Sequence, residues 1–206
     1  MQTKALTQRR YRTLLEIVFL FIVPVLLLYF NSIARQQFLA VLAIYTSFIL
    51  IIVLKEHWTL RTLDIRLDNL QKCLLPYALF TVVSVSGLIG IATLLGTSGN
   101  VGVNLYILFL AWSLPIAIVQ EFLYRGFLMR ELRLTRMRIA AVIIVNALLF
   151  TFLHIIYNPP LIILPMTLIG GIGFAWMYTR YPNLVLIAIS HSILNFFAIW
   201  CGFFRI

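Results

Sequence analysis

Val119-Gln-Glu-Phe-Leu-Tyr-Arg-Gly-Phe-Leu-Met-Arg-Glu-Leu132 places an acid and a base in otherwise apolar surroundings. Ionisable groups deep in an apolar run point to pairing or function rather than to a solvated surface. Glu121 and Arg125 are four residues apart, so on a helix they share one face, and the arginine can hold the glutamate as its carboxylate.

Outward from this stretch the chain stays apolar in both directions. Hydrophobic residues make up 63% and charged residues 11%, against roughly 45–50% and 25% in a soluble domain. A soluble globular domain is therefore excluded. Spanning helices need roughly 20 mainly apolar residues each, and about seven such runs can be read: Leu14–Phe30, Phe38–Leu54, Cys73–Gly96, Val103–Gly126, Met137–Tyr157, Leu161–Tyr178 and Leu184–Phe204. The fold class is all-α, a polytopic integral membrane helical bundle of about seven transmembrane helices whose last four form the core that carries the chemistry.

The formal charge of +10 is placed as a topology signal. Lys4, Arg9, Arg10 and Arg12 precede the first run, Lys55, Arg61, Arg66 and Lys72 lie between the second and third, and Arg130, Arg133, Arg136 and Arg138 lie between the fourth and fifth. Arg180 sits between the sixth and seventh. The alternate loops hold only Arg35, with Arg205 at the end of the chain. This distribution predicts a cell-membrane protein with a cytoplasmic N-terminus and the C-terminus outside. No basic stripe with interleaved aromatics occurs, so nucleic acid is not an expected partner. A cleavable signal peptide with Ser32 and Ala34 at the cleavage site is the weaker reading of the first run, and removing it leaves the other runs unaffected. Cys73 and Cys201 fall near opposite membrane faces, which argues against a disulfide between them.

Residues 1–102 read as N-terminal helices with a linker, and 103–206 as the core. Met1–Tyr11 reads as an orienting flank, Glu16 as a group close enough to the interface to reach water, and Pro24 as a kink in the first span. In Lys55–Lys72, Leu60, Leu63, Leu67 and Leu70 recur at helical spacing, which predicts a short amphipathic helix on the membrane surface. The glycine-rich segment Gly96–Gly102 lacks the strand, helix and lysine of a phosphate loop and reads as a flexible turn.

Pairs spaced by four recur in the core: Glu121 with Arg125, Phe150 with His154, and His191 with Asn195. Each pair lies on one helical face, and in lipid that face turns inward. Alone, such a histidine is often a helix–helix hydrogen-bonding group, and Glu121–Arg125 could be a structural ion pair. Together they form a hydrolytic set. A glutamate and one histidine can hold and deprotonate a water. The other histidine and the asparagine can donate to the oxyanion of a tetrahedral intermediate. Two histidines and a glutamate can also bind zinc. Without a His-Glu-x-x-His pattern, and with an arginine adding positive charge, metal-free chemistry is preferred and no cofactor is expected.

At these residues the sequence resembles the CPBP family, the CAAX proteases and bacteriocin-processing enzymes also called the Abi family of intramembrane glutamic-type endopeptidases. The stretches that carry the resemblance are Gln120-Glu121-Phe-Leu-Tyr-Arg125-Gly126, Phe150-Thr-Phe-Leu-His154 and His191-Ser-Ile-Leu-Asn195, with Gly170-Gly171-Ile-Gly173 similar to the family's glycine-rich helix. The resemblance implies an endopeptidase acting on a peptide or membrane-protein substrate in the bilayer, in bacteriocin maturation, self-immunity or processing of membrane regulators. It implies Glu121, His154, His191, Asn195 and Arg125 as site residues. One position departs from the pattern. The family's first glutamate, generally taken to activate the water, is Gln120 here. Either Glu121 takes over, or His154 is the principal base, or the cavity works without hydrolysis, as in an immunity protein or a modulator of a membrane sensor. A transporter is a further reading, but paired interrupted helices are missing. By residue counting, Glu121 falls near the cytoplasmic end of its run and His154 near the outer end of the next, with Asn158-Pro159-Pro160 reading as a turn.

Overall fold

Apolar runs that must satisfy their own backbone in lipid become helices, and the computed structural model, which describes residues 2–97 and 104–204, has them. They are α1 (Lys4–Tyr29), α2 (Arg35–Lys55), α3 (Leu70–Leu95), α4 (Leu105–Leu134), α5 (Ile139–Ile156), α6 (Pro160–Arg180) and α7 (Leu184–Trp200). Among the described residues, six are long and apolar enough to cross a membrane, and α7, with 17 residues, is shorter. Large apolar side chains such as Leu74, Val83, Leu94 and Leu161 point outward, while buried positions take Glu121, Arg125, His154 and His191. That inversion of the soluble pattern is what a lipid solvent selects. Most of the glycine-rich segment, residues 98–103, and Arg205 lie outside the described residues.

Among the described residues three π-helical stretches interrupt the helices, Val18–Ile22, Leu108–Ser113 and Phe122–Leu128. A proline lacks the N–H for its own hydrogen bond, and its ring strikes the carbonyl four residues back. Pro24 and Pro115 aim at Leu20 and Ala111, and each of these lies inside a π stretch. The first span thus accommodates Pro24 by widening the turn before it. The third π stretch contains no proline and coincides with the motif after Glu121, a placement typical of π turns at functional sites.

The chain divides into two compact units, Met1–Thr59 with Leu123–Ala175, and Leu60–Phe122 with Trp176–Ile206. In the first, Phe21 packs on Tyr124 and Phe127, with ring centroids 5.3 and 6.4 Å apart. Trp58 lies against Phe127, and the Arg130 guanidinium sits 4.7 Å above the Trp58 ring. The expected orienting flank is part of the fold. Arg9 reaches the buried Glu131 at 2.6 Å and Glu56 at 3.3 Å, Arg10 donates to the Thr135 carbonyl, and Arg12 binds both Glu16 and Glu56. Glu16 therefore has an ion-pair partner one helical turn away.

In the second unit, the amphipathic helix expected over Lys55–Lys72 does not form. Its described backbone is a turn with a short 3-10 segment at Arg61–Leu63, and Asp64 takes a left-handed φ of 55°. The backbone groups of this loop bind the start of α7 instead of one another. The Asp64 carbonyl accepts from Leu184 N at 2.8 Å, and the Arg66 carbonyl accepts from Asn183 Nδ2 at 2.9 Å. Asn69 Nδ2 donates to the Pro182 carbonyl at 2.9 Å. Leucine spacing alone could not reveal those partners. Asn183, fully buried, also caps α7 by accepting from Leu186 N at 2.9 Å, and Tyr178 donates to Asp64 at 2.9 Å.

Candidate active site

In the second unit, α4 and α7 bring two of the expected residues together. Ala117, Gln120 and Glu121 form the buried stripe of the Leu114–Glu121 segment, the i, i+3, i+4 pattern of an inward helix face. Facing it, α7 carries His191. The His191 Nδ1 atom lies 2.6 Å from Glu121 Oε1, with both side chains buried. A carboxylate oxygen here accepts from Nδ1, and in the neutral imidazole that leaves Nε2 as the acceptor nitrogen. This is the orientation in which a carboxylate holds a histidine as a general base. Asn195 follows one turn later on α7 and is half-buried. Gln120 is buried, and its Oε1 has no hydrogen-bond partner among the described residues.

The first unit holds Arg125, Phe150 and His154. The guanidinium of Arg125, 1% exposed, lies between two aromatic faces, 4.7 Å from the Phe150 centroid and 5.3 Å from that of Phe174. It also donates to the Gly171 carbonyl at 3.4 Å. Stacking of this kind suits arginine's planar, weakly hydrated cation and would not suit lysine. His154 stands where α5 tightens from α-helix to the 3-10 turn His154–Ile156. Its Nδ1 is 2.8 Å from the Phe150 carbonyl. A carbonyl accepts only, so this ring too is protonated at Nδ1, which in the neutral imidazole leaves Nε2 as the acceptor nitrogen.

Local packing explains how the motif is shaped. Asn146, fully buried, donates from Nδ2 to the Tyr124 carbonyl at 2.7 Å, and the Tyr124 hydroxyl donates to the Leu149 carbonyl. These bonds tie the motif's π stretch to α5. Gly171 permits close approach of α6 to α5, since a Cβ there would meet Ala147 Cα and Phe150 Cδ1 at 3.2 Å. Gly170 meets nothing within 4 Å, so of these two neighbouring glycines only Gly171 lies at a close contact.

These features have a counterpart among known families. Residues 102–197 match the family described as Rce1-like, type II CAAX prenyl endopeptidase. This segment belongs to the CPBP/CAAX-protease family. No curated protein and no solved structure matches the chain. The CAAX-protease segment covers a little under half of the sequence and includes all the paired motifs. The chain is accordingly a multi-pass membrane protein carrying a domain similar to the intramembrane endopeptidases of this family.

Within this domain, Glu121 and His191 supply two ligand-type side chains, where a catalytic zinc takes three from the protein. No group of three or more His, Cys, Asp or Glu forms among the described residues. Asn146 and Ser190 stand outside the paired motifs. Asn146 is an amide in an apolar helix and could have been flagged on that ground. Ser190 owes its importance to a partner 109 residues away, Thr81, for which the linear sequence holds no signal.

Proposed function

We propose that this chain is a glutamic-type intramembrane endopeptidase in which the Glu121–His191 pair activates the hydrolytic water. The observation that carries this reading is the 2.6 Å contact between Glu121 Oε1 and His191 Nδ1. His191 Nε2 takes a proton from water as the oxygen attacks the peptide carbonyl, and returns it to the leaving amine nitrogen as the C–N bond breaks. Asn195, on the same helix, donates from its carboxamide to the oxyanion. His154 is assigned to the same reaction on the family motif, and its Nδ1 bond to the Phe150 carbonyl holds the tautomer that can accept a proton at Nε2. Arg125 is the fixed cation of the motif. No metal is part of the proposal.

The substrate is a peptide or membrane protein, and the resemblance supports maturation of a bacteriocin-type peptide or self-immunity against one. The lysine and arginine distribution supports a cytoplasmic N-terminus and an outer C-terminus. Gln120 favours a second reading, a membrane immunity or sensor-modulating protein that binds without cleaving, because an amide cannot act as a base. Reconstitution in liposomes with candidate precursor peptides separates the two. The protease reading expects chelator-resistant cleavage that is lost in Glu121→Ala, His154→Ala and His191→Ala. Biological protection without cleavage by the wild type supports the second reading, and cleavage that survives Glu121→Ala and His191→Ala removes the assignment.

A further inference from the structure

His191 is anchored by more than its own helix. The preceding residue, Ser190, has its Oγ 2.8 Å from Thr81 Oγ1 on α3, and both are buried. Thr81 Oγ1 is also 2.7 Å from the Tyr77 carbonyl one turn back on α3. The carbonyl only accepts, so the Thr81 proton goes to Tyr77, and Ser190 must be the donor to Thr81. The direction of this short chain is thereby set. Four residues before Thr81, on the same face of α3, the Tyr77 hydroxyl donates to the Tyr181 carbonyl at 2.9 Å. One face of α3 therefore holds the chain at two heights, once at Tyr181 just before α7 and once on α7 beside His191. Residues 77 and 81 both lie outside the matched segment 102–197.

We propose that Thr81 is a positioning residue that, through Ser190, sets the rotation and height of α7 so that His191 Nδ1 meets Glu121. The inference rests on the assignment of Glu121 and His191 as the water-activating pair. Side chains reach about 5–6 Å from a helix axis, so a rotation of about 10° moves the His191 ring by about 1 Å. A shift of that size takes a 2.6 Å contact beyond hydrogen-bond range. The Asn183 cap acts nearly two turns earlier and leaves the rotation at His191 less constrained than a bond at the adjacent residue does.

The test reads the histidine directly. The chain has three histidines, so protein labelled with 15N-histidine in lipid nanodiscs gives few ring signals, and His191→Gln identifies the one from His191. Thr81→Val removes the hydroxyl at nearly constant shape, Ser190→Ala removes the donor, and Thr81→Ser retains the acceptor. In Thr81→Val and Ser190→Ala the His191 Nδ1 proton should exchange with water roughly fivefold faster, the equivalent of one ordinary hydrogen bond. Thr81→Ser should restore the wild-type rate, and the His154 signal should stay unchanged. An unaltered His191 proton, a common shift of His191 and His154, or a wild type without a protected His191 Nδ1 proton would overturn the proposal. Cleavage by the wild type is measured separately, and its absence removes the assigned reaction without touching the positioning result.

Discussion

Replacing Gly171 with alanine should destabilise the protein, whereas the same change at the neighbouring Gly170 should not. A Cβ at Gly171 would stand 3.2 Å from Ala147 Cα, 3.2 Å from Phe150 Cδ1 and 3.4 Å from Ala147 Cβ. Two of these atoms belong to a residue whose backbone and Cβ cannot swing aside, so α5 and α6 must separate by a few tenths of an ångström and the Phe150 ring must shift with them. Overpacking of this kind costs about 1–3 kcal/mol. Alanine also favours a helix over glycine by about 0.8–1.0 kcal/mol, but that gain applies equally at Gly170, where the added Cβ meets nothing within 4 Å. The difference between the two variants therefore isolates the steric cost, and Gly171→Ala should be less stable than Gly170→Ala by about 1–3 kcal/mol. Denaturant titration in detergent micelles, followed by tryptophan fluorescence, measures it. A difference below about 0.5 kcal/mol, the range of substitutions that touch nothing, would refute the close approach of these helices. Because Phe150 also faces Arg125 at 4.7 Å, a displaced ring should lower activity together with stability.

Other outcomes follow from the same packing. Arg12 holds the Glu56 carboxyl below its ordinary value, chiefly through their hydrogen bond with Arg9 assisting. A carboxyl lowered in the folded state contributes stability that is complete above its unfolded pKa of about 4.3 and is lost as the pH falls through the lower folded value. The wild type should therefore lose thermal stability in acid below about pH 4.3, and Glu56→Gln should lose less over the same range; parallel curves would remove this ion pair from the acid response. Asn183→Ala removes a helix cap and two donated bonds from a buried site. It should cost about 1–3 kcal/mol in the same titration, and a neutral effect would show that the 60–69 loop does not anchor α7. Gln120→Glu returns a carboxylate to the buried position beside Glu121. Cleavage should rise if the family's water-activating role can still be filled there, and a fall would show that Gln120 now acts as an amide.

Particular residues show what could be read from the chain alone. The apolar runs, the placement of lysine and arginine, and the paired motifs were legible because membrane solvation penalises polar groups by position. Pro24 was legible as a kink, although the π winding that absorbs it, and the same device before Pro115, required the structure. The leucines of the 60–69 loop misled, since helical spacing says nothing of backbone partners, and Asp64 and Arg66 spend their carbonyls on Leu184 and Asn183. Gly170 and Gly171 are equivalent in sequence and different in space. The sequence offers a glutamate and one histidine as a water-activating pair but leaves open which histidine partners Glu121. The contact of Glu121 with His191, 70 residues away, depends on how α4 and α7 pack, which spacing along either helix does not encode.

The account turns on that contact, and cleavage of a candidate precursor peptide by protein reconstituted in chelator-treated liposomes tests it most directly. Removing a general base costs about 10²–10⁴-fold in rate. The account predicts that Glu121→Gln and His191→Gln each lose activity on that scale, and that the double variant loses little more because the two side chains act as one unit. Cleavage at the wild-type rate by both single variants would contradict it.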